Sequence, residues 1–173
     1  METALDQTFI EQLNRHLGIA HKVCGLYFDD AAEKQDVVQE MLYQLWRSYP
    51  GFDGRSKFST WMYSVCLNTA LTYRRRERKH KSQPLSTSHH QLAEEPAGDQ
   101  EESLQQLHQA IATLSPLNKA IVLLYLEDLR YEEIAQITGL TKSNVSVRLV
   151  RIKKELETKM KQPETPYPHA NLR

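Results

Sequence analysis

The sequence has little of what a secreted, membrane-bound or disulfide-stabilised protein needs. It contains only two cysteines, Cys24 and Cys66, which form no CxxC motif, so neither a disulfide framework nor a zinc site is indicated. Its N-terminal stretch carries charges throughout and lacks the apolar run of a secretory signal, and no window approaches the ~18 apolar residues of a membrane span. The chain is therefore expected to be soluble and cytoplasmic, without membrane insertion.

Catalytic and metal-binding constellations are also lacking. The histidines are scattered over the chain at His16, His21, His80, His89, His90, His108 and His169. The adjacent pair lies next to acids but has no partner ligands at metal-binding spacing. These absences predict a protein that is not an enzyme and that uses no metal, no cofactor and no small-molecule substrate.

The chain also has no net charge, because 22 basic residues balance 22 acidic ones. The cations are nevertheless clustered, most densely in RRRERKHK at 74–81, whereas the segment 82–102 contains acids and no lysine or arginine. The zero is thus a sum over two mildly basic parts and an acidic connection, and it conceals local patches. A chain of this overall charge is expected to bind DNA poorly by itself.

Strand signals are almost absent, and nearly every periodic segment has the period of a helix. Two helical segments, 1–81 and 103–161, flank the linker 82–102, which is rich in serine, proline and acids. The tail 162–173 contains three prolines and is expected to be disordered. The predicted fold is all-α, with two small helical domains joined by a flexible linker.

The second domain has the pattern of a helix-turn-helix. A Ser-Pro pair at 115–116 starts an apolar helix up to Leu126, and a second helix is predicted over 131–138. Gly139 supplies a left-handed turn, and Thr141 caps the helix that follows. Two helices joined by such a turn place the second one in the major groove of DNA.

The last helix has one side that is predicted to be buried and one that is predicted to be solvent-exposed. Val145, Leu149, Ile152 and Leu156 recur at helical spacing and predict a buried stripe. The exposed side offers arginines for guanine edges or phosphates, short polar groups for bases, and valines for thymine methyl groups. These candidates are Ser143, Asn144, Ser146, Val147, Arg148, Val150 and Arg151. A helical hairpin with a merely solvated basic face remains the alternative.

The stretch DVVQEMLYQLWRSY at 36–49 is also two-faced. Its apolar side is predicted to contain Val38, Met41, Leu42, Leu45, Trp46 and Tyr49. Its other side combines acids, an amide and a tyrosine with one arginine, namely Asp36, Gln39, Glu40, Tyr43 and Arg47. This composition suits a protein partner better than DNA, and a solvated surface is the alternative.

A glycine-containing loop, FDGRSKFSTW, precedes a helix that runs into the basic cluster. Ser59 or Thr60 is predicted to cap this helix near Trp61. Its aromatic, amide and basic side chains make a platform for unstacked bases of single-stranded DNA. For Trp61 alone, a place in the core is the competing prediction.

Three motifs in order, DVVQEMLYQLW, FDGRSKFSTWMYSVCLNTALTYRRR and YEEIAQITGLTKSNVSVRLVRIKKEL, resemble a small sigma-70-family factor of the extracytoplasmic-function (ECF) type. The resemblance covers about residues 5–81 and 103–160. It implies a subunit that directs core RNA polymerase to promoters and initiates transcription, commonly restrained by an anti-sigma factor. A self-sufficient helix-turn-helix regulator that binds DNA without polymerase is the alternative.

The resemblance also implies a role for each surface. The polar face Asp36, Gln39, Glu40 and Tyr43 matches the part that docks on the clamp coiled coil of the largest polymerase subunit, and the flap is a further contact. The part that melts the −10 element and captures a base corresponds to Phe58, Trp61, Asn68, Tyr73, Arg74, Arg75 and Arg76. The exposed side of the last helix matches the helix positions that read the −35 element. This sequence departs there, because related factors often carry a basic or larger residue at Ser146 and Val147.

Overall fold

The computed structural model describes residues 2–80 and 99–161. Within these ranges the chain forms eight α-helices, one short 3-10 helix and no strand, so the predicted all-α class is confirmed. The helices are α1 Glu2–His16, α2 Gly18–Tyr27, α3 Ala31–Ser48, α4 Phe58–His80, α5 Asp99–Ala112, α6 Pro116–Leu126, α7 Tyr131–Thr138 and α8 Lys142–Lys161. The predicted disordered tail, and the linker up to residue 98, lie outside the described residues.

Local capping explains why the helices of the second half start where the sequence predicts. The Ser115 hydroxyl accepts a hydrogen bond from the Asn118 backbone N–H at 3.3 Å, and the Thr141 hydroxyl accepts one from the Asn144 N–H at 3.2 Å. Gly139 has a φ of 72°, the left-handed conformation that ends α7. The predicted starts, stops and turn of the helix-turn-helix are thus confirmed.

Two helix starts differ from the prediction, and α3 extends further towards the N-terminus than the two-faced stretch 36–49. Asp30 caps α3 by accepting from the Glu33 N–H at 2.8 Å, so this helix begins well before Asp36. α4 begins at Phe58, which makes the predicted cap at Ser59 or Thr60 wrong. α5 begins at Asp99, inside the segment predicted as linker.

The first half has its core between α2, α3 and α4. Val23, Val37, Met41, Met62 and Cys66 are fully buried there. Both cysteines are free and buried, as expected for small apolar residues. The core holds α3 and α4 side by side, so each of these helices keeps an outer face free for other contacts.

The second half is built on α6, α7 and α8, with α5 packed on α8. Ile121, Leu124 and Ile134 are fully buried among these helices. The stripe predicted for α8 is confirmed, because Val145, Leu149 and Ile152 are buried and Leu156 packs against them. The opposite side of α8 is therefore turned outward.

The two halves pack against each other, which the sequence pattern did not indicate. α2 contacts α6 and α4 contacts α7, and the buried side chains of both halves form one continuous cluster. The Tyr27 hydroxyl donates to the Pro116 carbonyl at 2.7 Å across this contact. Among the helices of the described ranges, none is long and apolar enough to cross a membrane.

Candidate nucleic-acid interface

The outer face of α8 combines exposed polar, basic and aliphatic side chains. Ser143, Asn144 and Arg151 are exposed, and Ser146 is half-buried. Val147 and Val150 are 47% and 67% exposed. These two valines bury little of their side-chain surface in the fold. They could therefore contact thymine methyl groups in a groove. The structure brings all these predicted residues onto one surface.

Arg148 lies at the flank of this surface and is held by a residue that sequence reasoning missed. Its guanidinium donates to the Asn118 side-chain oxygen at 3.3 Å. Asn118 belongs to the first turn of α6, far from α8 in the chain. No periodic pattern connects the two positions, so only the packing of α6 on α8 reveals the pair. The contact restricts Arg148 to the edge of the surface, where a phosphate would lie.

The helix-turn-helix is further fixed by an ion pair between its two helices. The Lys142 ammonium lies 2.5 Å from a Glu132 carboxylate oxygen. The hydrogen bond from Lys142 holds the pKa of Glu132 below its ordinary value. Both groups are exposed, so the pair, which links the start of α8 to the first turn of α7, contributes little to stability.

A second candidate surface is a stripe along α4. Trp61, Asn68 and Arg75 follow one another at about two helical turns each, which places them in line on one side of the helix. Asn68 and Arg75 are exposed, and Trp61 is half-buried. We call these three residues the α4 stripe. It offers an aromatic ring, an amide and a cation, the groups that bind unstacked bases and their phosphates.

Trp61 is held in position by other aromatic rings. Its ring centroid lies 5.1 Å from that of Phe52, 5.3 Å from Phe58 and 6.2 Å from Tyr49. Such tilted and edge-on contacts stabilise the cluster, and Trp61 remains partly exposed. Trp61 is therefore part of the aromatic cluster, and its role as a base platform stays a prediction.

Three residues assigned to the single-strand surface have other contacts within the chain. Phe58 is only 9% exposed and packs against Trp61 among other rings. Tyr73 packs edge-on against Phe28 with a centroid distance of 5.7 Å. Arg74 lies over the ring of Tyr27 at 5.5 Å. Both point away from the α4 stripe, whereas Arg76 is exposed.

The outer face of α3 is acidic and aromatic. Asp36 and Gln39 are exposed, Tyr43 is 49% exposed, and the half-buried Glu40 accepts from the Gln44 amide at 2.8 Å. The predicted inward orientation of Trp46 is wrong, since this side chain is 58% exposed and lies 6.3 Å from Tyr43. We call the surface formed by Asp36, Gln39, Glu40, Tyr43 and Trp46 the α3 face.

The error at Trp46 has a simple origin in the register of the helix. Val37, which the prediction left out, is fully buried, and with Met41 and Leu45 it forms the line that faces the core. Trp46 follows Leu45 by one position in the chain, so it lies at the edge of that line. The correct register would have followed from counting in steps of four from Val37.

These surfaces define a class of protein: an all-helical protein with a helix-turn-helix, an exposed stripe of aromatic, amide and basic groups on α4 and a separate acidic and aromatic face on α3. Comparisons with known proteins agree with this class. The family model "Sigma-70 region 2" matches residues 13–80, and "Sigma-70, region 4" matches residues 104–156.

Similar whole proteins are also known. The RNA polymerase sigma-H factor of Pseudomonas aeruginosa is 29% identical, over 88% of this chain and 92% of that protein. The ECF RNA polymerase sigma-E factor of Escherichia coli is 30% identical, over 81% of each. A solved structure of the sigma factor RpoE in complex with the anti-sigma factor NepR from Bartonella quintana has a TM-score of 0.73 at 19% identity, covering 90% of this chain and 98% of that one, which shows the same fold.

The chain belongs to the ECF group of the sigma-70 family. It is an RNA polymerase sigma factor, a DNA-binding protein that initiates transcription and is not an enzyme. The resemblance found in the sequence is confirmed, and the alternative of a self-sufficient regulator is not favoured.

Proposed function

We propose that residues 1–81 and 103–161 act as the two promoter-binding domains of this sigma factor, joined by the acidic linker 82–102 and followed by the tail 162–173. The observation that carries this proposal is the outward orientation of both reading surfaces, the α4 stripe and the outer face of α8, each backed by a dry core. The first would capture an unpaired base of the −10 element. The second would read the −35 element in the major groove.

In this proposal polymerase supplies most of the DNA affinity. The chain has no net charge, and non-specific DNA affinity depends on cations that displace counterions from the phosphates. Held on the polymerase surface, the two domains would contribute specificity, and their tether would raise the effective concentration of each at its element. A dimeric repressor would instead need strong DNA affinity of its own.

The α3 face is proposed as the docking surface for the clamp coiled coil of the largest polymerase subunit, with the flap as a further contact. It combines carboxylates with two exposed aromatic rings, Tyr43 and Trp46. Interfaces with a central aromatic anchor and a polar rim bind most firmly, and this surface has both. Trp46 thus joins the four residues that the sequence assigned.

We also propose an anti-sigma partner for this chain and a cytoplasmic place of action. The similarity to a sigma factor solved in complex with an anti-sigma factor supports an anti-sigma partner for this chain too. Its place of action would be the cytoplasm, on the nucleoid when it is active.

Charge reversal tests the docking surface. Asp36→Arg and Glu40→Arg should each abolish copurification with core polymerase, because a cation would then face the partner where a carboxylate is needed. Both positions are on the outer face of α3, so circular dichroism should show a folded protein. Glu11→Arg, an equal change at an exposed position of α1, is the matched control and should copurify normally. Retention of polymerase by both α3 variants would show that docking occurs elsewhere.

A further inference from the structure

A polar contact within the second half of the chain joins α6 to the edge of the outer face of α8. Nη1 of Arg148 donates to the side-chain oxygen of Asn118 at 3.3 Å. Asn118 is itself fixed at the start of α6, because its backbone N–H donates to the Ser115 hydroxyl that caps this helix. A residue of one helix therefore holds the guanidinium of another.

The contact lies where α6 and α8 meet over the core. Ile121, one helical turn after Asn118, and Val145, one turn before Arg148, are both fully buried. Asn118 and Arg148 are half-buried at the rim of this core. A hydrogen bond that is partly sheltered from water holds its groups more firmly than one between fully exposed side chains. The long side chain of Arg148 is thus restricted before any ligand binds.

The partner of Arg148 is neutral, whereas several lysines of α8 have charged partners. Their ammonium groups lie 2.5, 2.7 and 2.5 Å from carboxylate oxygens: Lys142 from Glu132, Lys159 from Glu155 and Lys161 from Glu157. The amide of Asn118 carries no net charge, so it orients the guanidinium and leaves its positive charge for an anionic ligand. A carboxylate in its place would neutralise the guanidinium and repel a phosphate.

Arg148 adjoins the residues proposed to read DNA. Asn144 precedes it by four positions and Arg151 follows it by three, so both are its neighbours on the surface of α8, and both are exposed. A residue at the edge of a recognition helix lies beside the sugar–phosphate backbone, while those at its centre reach the base edges. The planar guanidinium has five donors that match a phosphate, and the bond to Asn118 takes one of them.

We propose that Asn118 is a positioning residue for DNA binding: its side-chain oxygen orients Arg148 towards a phosphate beside the −35 element. The inference rests on the proposed function of the outer face of α8 and adds to it a residue from another helix. Asn118 acts through Arg148 and does not touch the DNA itself. A free arginine side chain loses rotamer freedom when it binds, and one that is already held loses less.

Removal of the acceptor tests the positioning role. The full chain with core polymerase is titrated with a labelled promoter duplex that this holoenzyme selects from a library of random −35 sequences. Asn118→Ala should weaken binding by about threefold to tenfold, the cost of ordering one long side chain. Arg148→Ala should weaken it by about tenfold or more, because the charged hydrogen bond itself is lost. Gln109→Ala removes an equal amide from an exposed position of α5 and should bind like the native chain.

The salt dependence of binding separates positioning from a loss of charge. Each neutralised phosphate contributes about −0.9 to the slope of log K against log salt concentration. Arg148→Ala should make this slope shallower by that amount, whereas Asn118→Ala should leave it unchanged, because the guanidinium still reaches its phosphate in the complex. Asn118→Asp keeps the acceptor and the size of the side chain but adds a negative charge. It should therefore weaken binding and make the slope shallower.

A double variant shows whether Asn118 acts through Arg148. In the Arg148→Ala background, Asn118→Ala should have no further effect on DNA affinity, since no guanidinium is left to orient. The loss caused by either single variant should be the same for the selected duplex and for one with a single −35 base pair replaced, because a phosphate carries no sequence information. Circular dichroism should show folded chains, because neither side chain belongs to the buried core.

The possible results separate this inference from the proposed function. Native affinity of Asn118→Ala, with Arg148→Ala impaired, would overturn the positioning role and leave the proposed function intact. A full loss from Asn118→Ala in the Arg148→Ala background would also overturn it, because Asn118 would then contact DNA directly. An unchanged salt slope in Arg148→Ala would show that no phosphate is bound there. If the native holoenzyme selected no −35 sequence from the library, the proposed function would fail and the inference with it.

Discussion

Replacing Gly139 by alanine tests whether the helix-turn-helix depends on the left-handed turn between α7 and α8. The glycine has a φ of 72°, and a Cβ added there would meet no atom within 4 Å. The cost is therefore purely conformational, about 1–2 kcal/mol for an L residue in this region. Alanine also restricts the unfolded chain, which returns about 0.4–1 kcal/mol. The net loss of stability should be about 1 kcal/mol.

Gly25→Ala is the matched control for this prediction. Gly25 lies inside α2, its added Cβ would also meet no atom within 4 Å, and its φ is not positive. Alanine is favoured over glycine in a helix interior by about 1 kcal/mol, so this variant should be more stable than the native protein. The same chemical change is thus expected to have opposite signs at the two positions.

Thermal unfolding followed by circular dichroism measures both variants. For a chain of this size, about 1 kcal/mol corresponds to a shift in Tm of about 2–4 °C, downward for Gly139→Ala and upward for Gly25→Ala. If Gly139→Ala were as stable as the native protein, the left-handed turn would not be needed, and the assignment of α7 and α8 to a fixed helix-turn-helix would fail.

Two further predictions concern α8 and the contact between the two halves of the chain. Arg151→Ala should weaken holoenzyme binding to a duplex −35 element by about 1–3 kcal/mol and leave binding to a template with only a pre-opened −10 region intact, whereas equal loss on both templates would contradict the division of labour. The hydrogen bond from the Arg130 N–H, together with the charges of Arg130 and Lys57, lowers the pKa of Glu133. Its stabilising contribution is therefore present above the ordinary value of about 4.3 and is lost as pH falls through the lower folded value. In Glu133→Gln the decline of Tm with acid should be shallower, and an unchanged slope would contradict this assignment.

The ends of the helices in the second half could be predicted because their causes are local. Ser115 and Thr141 each accept from a backbone N–H three residues on, and Gly139 takes a conformation that few other residues adopt. Signals of this kind need no knowledge of the rest of the fold. The prediction for α4 failed for the complementary reason: Thr60 has the chemistry of a cap, but its hydroxyl bonds to a distant glutamate.

The candidate sites were predicted in part. The exposed face of α8 follows from the dry stripe opposite, so every residue assigned to it lies where the sequence placed it. The aromatic and basic residues of α4 were assigned to one surface because they are close together in the sequence. The structure places them on different sides of the helix. Phe58 is in the aromatic cluster, and Tyr73 and Arg74 are against α2 and its neighbours. Whether Asn118 would meet Arg148 was not accessible to any local pattern.

By itself the sequence determined the helical class, the register of α8, the turn at Gly139 and membership of the sigma-70 family, because periodicity, caps and motifs act over a few residues. Only the tertiary structure decided that the two halves close on one another. That contact depends on pairs such as Lys22 with Glu127, which are 105 positions apart. Their meeting depends on how whole helices pack, and no local signal along the chain records it.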